Sequence, residues 1–143
     1  MSSFKVFDIA GSGMSAQSVR LNTVASNLAN ADSVSGDPTQ VYQAKHPVFQ
    51  SVQALGAAAS QSAEQASASV KVLSIATNTA APESRYDPGN PLANSDGYVY
   101  SSNVNVVEEM TDMISASRSY QNNVEVMNTA RNMMLDTLKL GQS

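Results

Sequence analysis

The chain has no cysteine and no tryptophan among its 143 residues, and only 14% of the residues are charged. Without cysteine, disulfide bonds and thiolate-ligated metal sites are excluded. An ordinary soluble domain has roughly 25% charged residues; here Ser, Asn, Gln, Thr and Ala take the place of the missing charges. Small, uncharged polar surfaces suit helices that pack against many neighbours, because few charges must then be desolvated.

Long apolar runs are also missing. No stretch approaches the ~20 residues of a membrane span. The first residues lack the charged region and following apolar stretch of a secretory signal peptide, so we expect any export to use another route. The net charge of −4 and the absence of a Lys/Arg stripe argue against nucleic acid as a partner.

The N-terminal residues 4–31 follow a heptad pattern. Two sets of residues recur every seven positions, offset by three: Phe7, Met14, Leu21 and Leu28, and Ala10, Gln17, Val24 and Ala31. This pattern predicts a helix of about 40 Å with an apolar seam. Gly11 and Gly13 lie within it, which indicates either a kink or a very close neighbour.

A longer pattern covers the C-terminal residues 105–140. Steps of four and three connect Val106, Met110, Met113, Ser117, Tyr120, Val124, Met127, Arg131, Met134 and Leu138. Asn105 and Glu108 have the spacing of a capping box, and Gly141 is a typical C-terminal stop. We therefore predict a second helix that begins after Asn105 and ends before Gly141.

Together these patterns predict a mainly α fold. We expect the long N- and C-terminal helices, in residues 1–34 and 103–143, to pair as a coiled coil. We expect residues 35–102 to form a small β-rich or irregular middle insert, with strands near 40–52, 70–77 and 97–100 and with turns at 87–91 and 94–97. Pro47 restricts the first strand to an edge of a sheet or splits it. The Ala/Ser/Gln-rich composition of residues 54–69 predicts a flexible loop or linker.

Candidate catalytic residues are few. His46 is the one histidine, and neither a cysteine nor a second histidine accompanies it. Glu108, Glu109 and Asp112 share the start of one predicted helix, whereas a glycosidase needs two carboxylates across a cleft. Gly11-Ser12-Gly13 lacks the strand, third glycine and lysine of a phosphate-binding loop. We predict no catalytic residue, no cofactor site and no metal site.

Several stretches resemble the flagellar rod and hook family. They are residues 6–13 (VFDIAGSG), 20–33 (RLNTVASNLANADS), 42–45 (YQAK), 86–93 (YDPGNPLA), 97–99 (GYV) and 107–142. The resemblance spans nearly the whole chain and fails only around residues 50–83. Ser102 and Asn105 depart from the family pattern at the entry to the last helix, where Asn105 is still able to cap.

The resemblance implies a structural subunit of the proximal rod of the bacterial flagellar basal body, which transmits motor torque across the periplasm to the hook. It implies polymerisation through the terminal helices and type III export without a cleaved signal peptide. The implied partners are other copies of the chain, neighbouring rod proteins, the rod-to-membrane-ring adaptor and the export apparatus. Our predicted subunit-interface residues are Phe7, Met14, Leu21, Val24, Leu28, Met110, Met113, Tyr120, Val124, Met127, Met134 and Leu138.

Two other classes of protein share part of this pattern. A secreted coiled-coil effector or adaptor would have the same helices and export route, but it gives no reason for the turn block at residues 86–93. A cell-wall hydrolase would need the carboxylate cleft that the sequence does not supply. Motility of cells without the protein separates the effector from the rod subunit, and a peptidoglycan zymogram separates the hydrolase.

Overall fold

Two long helices dominate the protein. The computed structural model describes residues 3–54 and 67–141. Helix α1 spans Ser3–Ala29, with 27 residues, and helix α2 spans Val106–Leu140, with 35 residues. Both predicted helices are confirmed, and their ends lie within two residues of the predicted ones.

The ends of α2 show why the helix begins and stops where it does. The Asn105 side chain accepts hydrogen bonds from the backbone N–H groups of Val107 and Glu108, at 3.1 and 3.4 Å. These bonds satisfy two of the donors that a helix start leaves unpaired. At the other end, the Gly141 N–H donates to the Thr137 carbonyl at 3.2 Å. The predicted cap residue and the predicted stop are both confirmed.

Helices α1 and α2 pack antiparallel through small and polar side chains. Gly13 lies against Asn123, and Asn27 contacts Glu109. The buried residues of α2 are Glu109, Ala116 and Ala130, which share a spacing of seven or a multiple of it. The buried apolar residues of α1 are Ala10, Ala16 and Val24. Side chains this small allow the two backbones to approach closely.

The predicted fold class is therefore wrong. The protein is not a mainly α coiled coil with a small insert, because five strands within residues 3–54 and 67–141 form two antiparallel sheets beside the helices. Within the predicted seam of α1, Ala10 and Val24 are buried, whereas the larger Phe7, Met14, Leu21 and Leu28 are only half-buried.

The sheet with the longer strands is a hairpin of two strands. Strand β2 (Lys45–Ala54) pairs antiparallel with β3 (Ser67–Thr77). Pro47 lies opposite Ile75, and a bulge falls between Val48 and Phe49. In a two-stranded sheet both strands are edges, so Pro47 is tolerated, as predicted. Most of the predicted loop at 54–69 lies outside the described residues, while its two ends belong to the strands.

A second, three-stranded sheet joins the two ends of the middle segment. Its strands are β1 (Val34–Ser35), β4 (Glu83–Tyr86) and β5 (Tyr98–Ser101), in the order β1-β5-β4. Central strand β5 was predicted, and its Val99 is almost fully buried. Because β1 follows α1 and β5 precedes α2, this sheet holds together the chain segments that lead into and out of the helix pair.

The turn block between β4 and β5 is closed by its own hydrogen bonds. The Asn94 side chain accepts from the backbone N–H groups of Asp96 and Tyr98 at 3.0 and 2.8 Å. Gly97 has a φ of 79°, a left-handed conformation that favours glycine. The Tyr86 and Tyr98 rings meet edge to face, with centroids 5.3 Å apart. The turns predicted at 87–91 and 94–97 are thus confirmed.

Gly36 offers a test of how tightly this block packs against β1. A Cβ at Gly36 would stand 2.6 Å from the Leu92 backbone carbonyl oxygen. We expect Gly36→Ala to lower the free energy of unfolding by about 1–3 kcal/mol, because backbone cannot move aside as a side chain can. Gly89→Ala is the matched control, since its nearest neighbour, Asp87 Oδ1, would lie at 3.9 Å. Urea denaturation of the purified chains measures both changes, and equal midpoints would contradict the close packing.

Candidate assembly interface and polar junction

The best-defined polar site is a junction formed by Asn27, Tyr42, Lys45 and Glu109. Asn27 is fully buried on α1. Its amide nitrogen donates to Glu109 Oε1 and to the Lys45 carbonyl, both at 2.8 Å. Its amide oxygen accepts from the Lys45 N–H at 3.0 Å and from the Tyr42 hydroxyl at 2.9 Å. Asn27 thus uses its full hydrogen-bonding capacity to connect α1, α2 and the start of β2.

Glu109 is the costly member of the polar junction. Its side chain is almost completely buried in the first turn of α2. One carboxylate oxygen accepts from Asn27, while the other has no hydrogen-bond partner within the described part of the chain. The amide groups of the helix start favour a carboxylate there, but a buried charge still needs its hydrogen bonds. Without Asn27, the buried Glu109 carboxylate would lose the side-chain hydrogen bond that it accepts.

Asn103 holds Ala44, the residue before Lys45, through a hydrogen bond of its own. Its side-chain oxygen accepts from the Ala44 N–H at 2.8 Å. Its amide nitrogen donates to the carbonyl oxygens of Asn78 and Ala80, at 3.1 and 3.0 Å. Asn78 in turn donates its N–H to the Ala44 carbonyl at 2.7 Å. Two asparagines thus hold residues 44 and 45, from which the β2–β3 hairpin leaves the helix pair.

Two further contacts set the register of the helices. Arg20 on α1 and Asp112 on α2 form an ion pair at 2.8 Å, with side chains about one quarter to one third exposed. At Gly13, a Cβ would lie 2.8 Å from Asn123 Nδ2. Of the two explanations offered for the glycine pair, the close neighbour fits Gly13, and α1 is continuous through both glycines.

The predicted interface residues fall into three groups by their accessibility. Only Val24 is buried within the chain, so it packs between this chain's own elements. The half-buried residues are Phe7, Met14, Leu21, Leu28, Met113, Val124, Met127 and Met134. Met110, Tyr120 and Leu138 are exposed, and Met110 and Leu138 retain 54% and 64% of their accessible surface. Their role as a subunit interface stays a prediction.

The residues considered for catalysis have other contacts. His46 is exposed on β2, opposite Ala76. Glu109 and Asp112 bind Asn27 and Arg20, and Glu108 lies exposed in the same helix. Within residues 3–54 and 67–141, no three potential metal-ligating side chains come together. Neither described helix has the length and hydrophobicity needed to cross a membrane.

The polar junction was missed as a site by sequence reasoning. Asn27 and residues 42–45 were noted only as parts of stretches that resemble a family. A signal was present, because Gly13, Arg20 and Asn27 recur every seven residues beside the apolar pattern. Each of the three contacts α2. The heptad spacing of Gly13, Arg20 and Asn27 thus indicates which face of α1 lies against α2.

Two family models match the ends of the chain. Residues 7–36 match the model described as flagella basal body rod protein. Residues 95–140 match the model described as the C-terminal part of the flagellar basal body rod FlgEFG proteins. The first match ends just after β1, and the second includes β5 and the whole of α2 with its N-cap Asn105. The class of protein defined by the paired terminal helices is thus the flagellar basal-body rod protein.

Relatives of nearly the same length identify the family within this class. The flagellar basal-body rod protein FlgC of Salmonella typhimurium is 54% identical over 142 residues, which are 99% of this chain and 100% of that protein. The FlgC proteins of Yersinia enterocolitica and Buchnera aphidicola (subspecies Schizaphis graminum) are 51% and 43% identical, with the same coverage. The chain belongs to the FlgC family of flagellar basal-body rod proteins. It is a structural subunit of the rod in the flagellar basal body, which confirms the predicted family and role.

Proposed function

We propose that this subunit polymerises through the outer faces of α1 and α2 and thereby helps to transmit motor torque across the periplasm to the hook. The observation that carries the proposal is the accessibility of large apolar side chains along both helices. Met110 and Leu138 on α2 are mostly exposed, and Phe7 and Leu21 on α1 are half-buried. Burying each such side chain in a neighbour contributes about 1.5–3 kcal/mol, so a row of them suffices to hold subunits together.

We also infer two domains from the accessibility of the helix side chains. We assign residues 1–34 and 103–143 to the inner, assembling domain and residues 35–102 to an outer domain. The hydrogen bonds of Asn27 and Asn103 support this division, because they fix the direction in which the hairpin leaves the helix pair. A fixed direction lets the outer domain resist torque that the helices receive.

The neighbours in this proposal are other copies of the chain, the adjoining rod proteins, the rod-to-membrane-ring adaptor and the export apparatus. Membership of the FlgC family supports all four. It also supports export through the flagellar type III apparatus with the N-terminal residues retained. In the same proposal the chain has no enzymatic activity, since Glu109 and Asp112 are engaged in contacts between helices. Clearing of a peptidoglycan zymogram by the purified chain would contradict that part.

Deletion of the gene is expected to abolish swimming, because a rod that lacks one subunit type cannot connect the motor to the hook. Electron microscopy of detergent extracts should show no complete hook–basal bodies in the deletion strain. Expression of the intact chain from a plasmid is the control, and it should restore both swimming and basal bodies. A motile deletion strain with intact hook–basal bodies would overturn the proposed function and favour a secreted effector.

A further inference from the structure

A groove lies between the start of α1 and the second half of α2. Its volume is about 530 Å³, and its apolar lining consists of Val6 on α1 and Val126, Ala130 and Met133 on α2. A volume of this size is in the range of roughly 300–1,000 Å³ that holds a drug-sized ligand, so it has room for several side chains. The α2 lining follows the helical spacing of three and four residues, which makes the groove run along the helix.

The first third of α2 carries an exposed apolar stripe. Val107, Met110 and Ile114 retain 73%, 54% and 55% of their accessible surface. Their spacing of i, i+3 and i+7 is the one by which a helix docks into an apolar groove. The stripe spans seven residues, or about 10 Å, and the groove lining from Asn122 to Met133 spans about 16 Å. The groove is therefore long enough to receive the stripe.

The stripe and the groove of one chain cannot meet. Met110 and Val126 are 16 residues apart on one continuous helix, which separates them by about 24 Å along the axis and about 160° around it. A contact between them needs two molecules. Because the stripe and the groove face opposite sides of α2, one pair of copies cannot form the contact twice, so each copy keeps a free stripe or a free groove for the next one. The result is a ring or an open helical stack, and not a closed dimer.

We propose that the stripe of Val107, Met110 and Ile114 docks into the groove of Val6, Val126, Ala130 and Met133 of a second copy of this chain. The inference rests on the proposed function and names the partner of its helical faces. A second copy is the occupant because the chain itself carries both apolar halves of the contact, in different halves of α2 and on opposite sides of it. One contact of this kind fixes both an axial offset and a rotation between neighbouring subunits.

Cysteine cross-linking tests the contact cleanly because the chain has no cysteine of its own. Two plasmids supply Met110→Cys and Val126→Cys chains to swimming cells that also make the unchanged chain, and the hook–basal bodies of these cells are treated with a short bismaleimide. We expect a covalent dimer of twice the chain mass from the mixture, and none from either variant alone. Ile114→Cys with Met133→Cys is a second pair that should give the same product.

The other outcomes each overturn the proposal. A dimer from Met110→Cys alone would show that stripe meets stripe. An adduct of another mass would place a different protein in the groove. Swimming cells that give no adduct with either pair would show that the two surfaces do not meet. In all three cases the cells still swim, so the proposed rod function survives, whereas swimming of the deletion strain itself would remove that function.

Discussion

Asn27→Ala is expected to lower the free energy of unfolding by about 3 kcal/mol or more, and to prevent normal rod assembly. The substitution removes four hydrogen bonds at once, two of them to the Lys45 backbone and one to the Glu109 carboxylate. Each buried group left without a partner costs about 1–3 kcal/mol, and more if it is charged. Against a total stability of roughly 5–15 kcal/mol for a folded domain, this loss is large.

Glu109 makes the effect of Asn27→Ala larger than that of an ordinary helix substitution. Its second carboxylate oxygen already lacks a hydrogen-bond partner among the described residues. The Asn27→Ala variant would also remove the hydrogen bond that the first carboxylate oxygen accepts. The same change frees the first residue of β2 from α1. We therefore expect the helix contact and the hairpin attachment to weaken together, because both depend on one side chain.

Urea denaturation followed by circular dichroism measures the expected change. Asn22→Ala is the matched control, since Asn22 is exposed on the same helix. Exposed substitutions of this kind usually change stability by no more than about 0.5 kcal/mol. An Asn27→Ala chain with the denaturation midpoint of the control would show that the polar junction contributes little, and that the helix pair is held by its alanines instead.

The helices were predictable because their signals are local. The heptads of α1 and α2, the Asn105 cap and the Gly141 stop each lie within a few residues of the boundary that they determine. The turn block was predictable for the same reason, since Asn94 and Gly97 determine their turn through backbone conformation and short-range hydrogen bonds. For such elements no knowledge of the rest of the fold is needed.

The contact face of the helices was only partly predictable from hydrophobicity. Ala10 and Val24 of the predicted heptad pattern are buried, but Ala16 lies outside that pattern and is buried as well. The contact of Asn27 with Glu109 joins residues 82 positions apart, which no local pattern encodes. The larger apolar residues of the N-terminal pattern are only half-buried, and a coiled coil was wrongly inferred from their spacing.

The sheets were underestimated for a different reason. Strand β1 has two residues, and β4 (Glu83–Tyr86) is exposed along its whole length, so neither shows the alternation of a half-buried strand. They exist because β5 lies between them and supplies their hydrogen bonds. Strand β3 also extends further than predicted, because its first residues lie in the Ala/Ser-rich stretch for which the sequence predicts a loop.

Met110→Asp is expected to abolish swimming while the chain is still made and still folds. Met110 is more than half exposed in the single chain, so a carboxylate there stays hydrated before assembly. In the assembled rod the same carboxylate would be buried without a partner, and removing such a charge from water costs several kcal/mol. Leu21 and Met127 are half-buried, so aspartate there would also disturb the chain itself and would be harder to interpret.

Swimming in soft agar, immunoblots of the protein and circular dichroism of the purified variant separate these effects. Leu73→Asp is the matched control: Leu73 is an exposed leucine on the β2–β3 hairpin, outside the proposed helical interface, with 62% of its surface accessible. We expect Leu73→Asp cells to swim and Met110→Asp cells to be non-motile at equal protein levels. If both variants swim, the outer face of α2 is not buried in the rod. If only Leu73→Asp stops motility, the hairpin and not the helix pair carries the subunit contact.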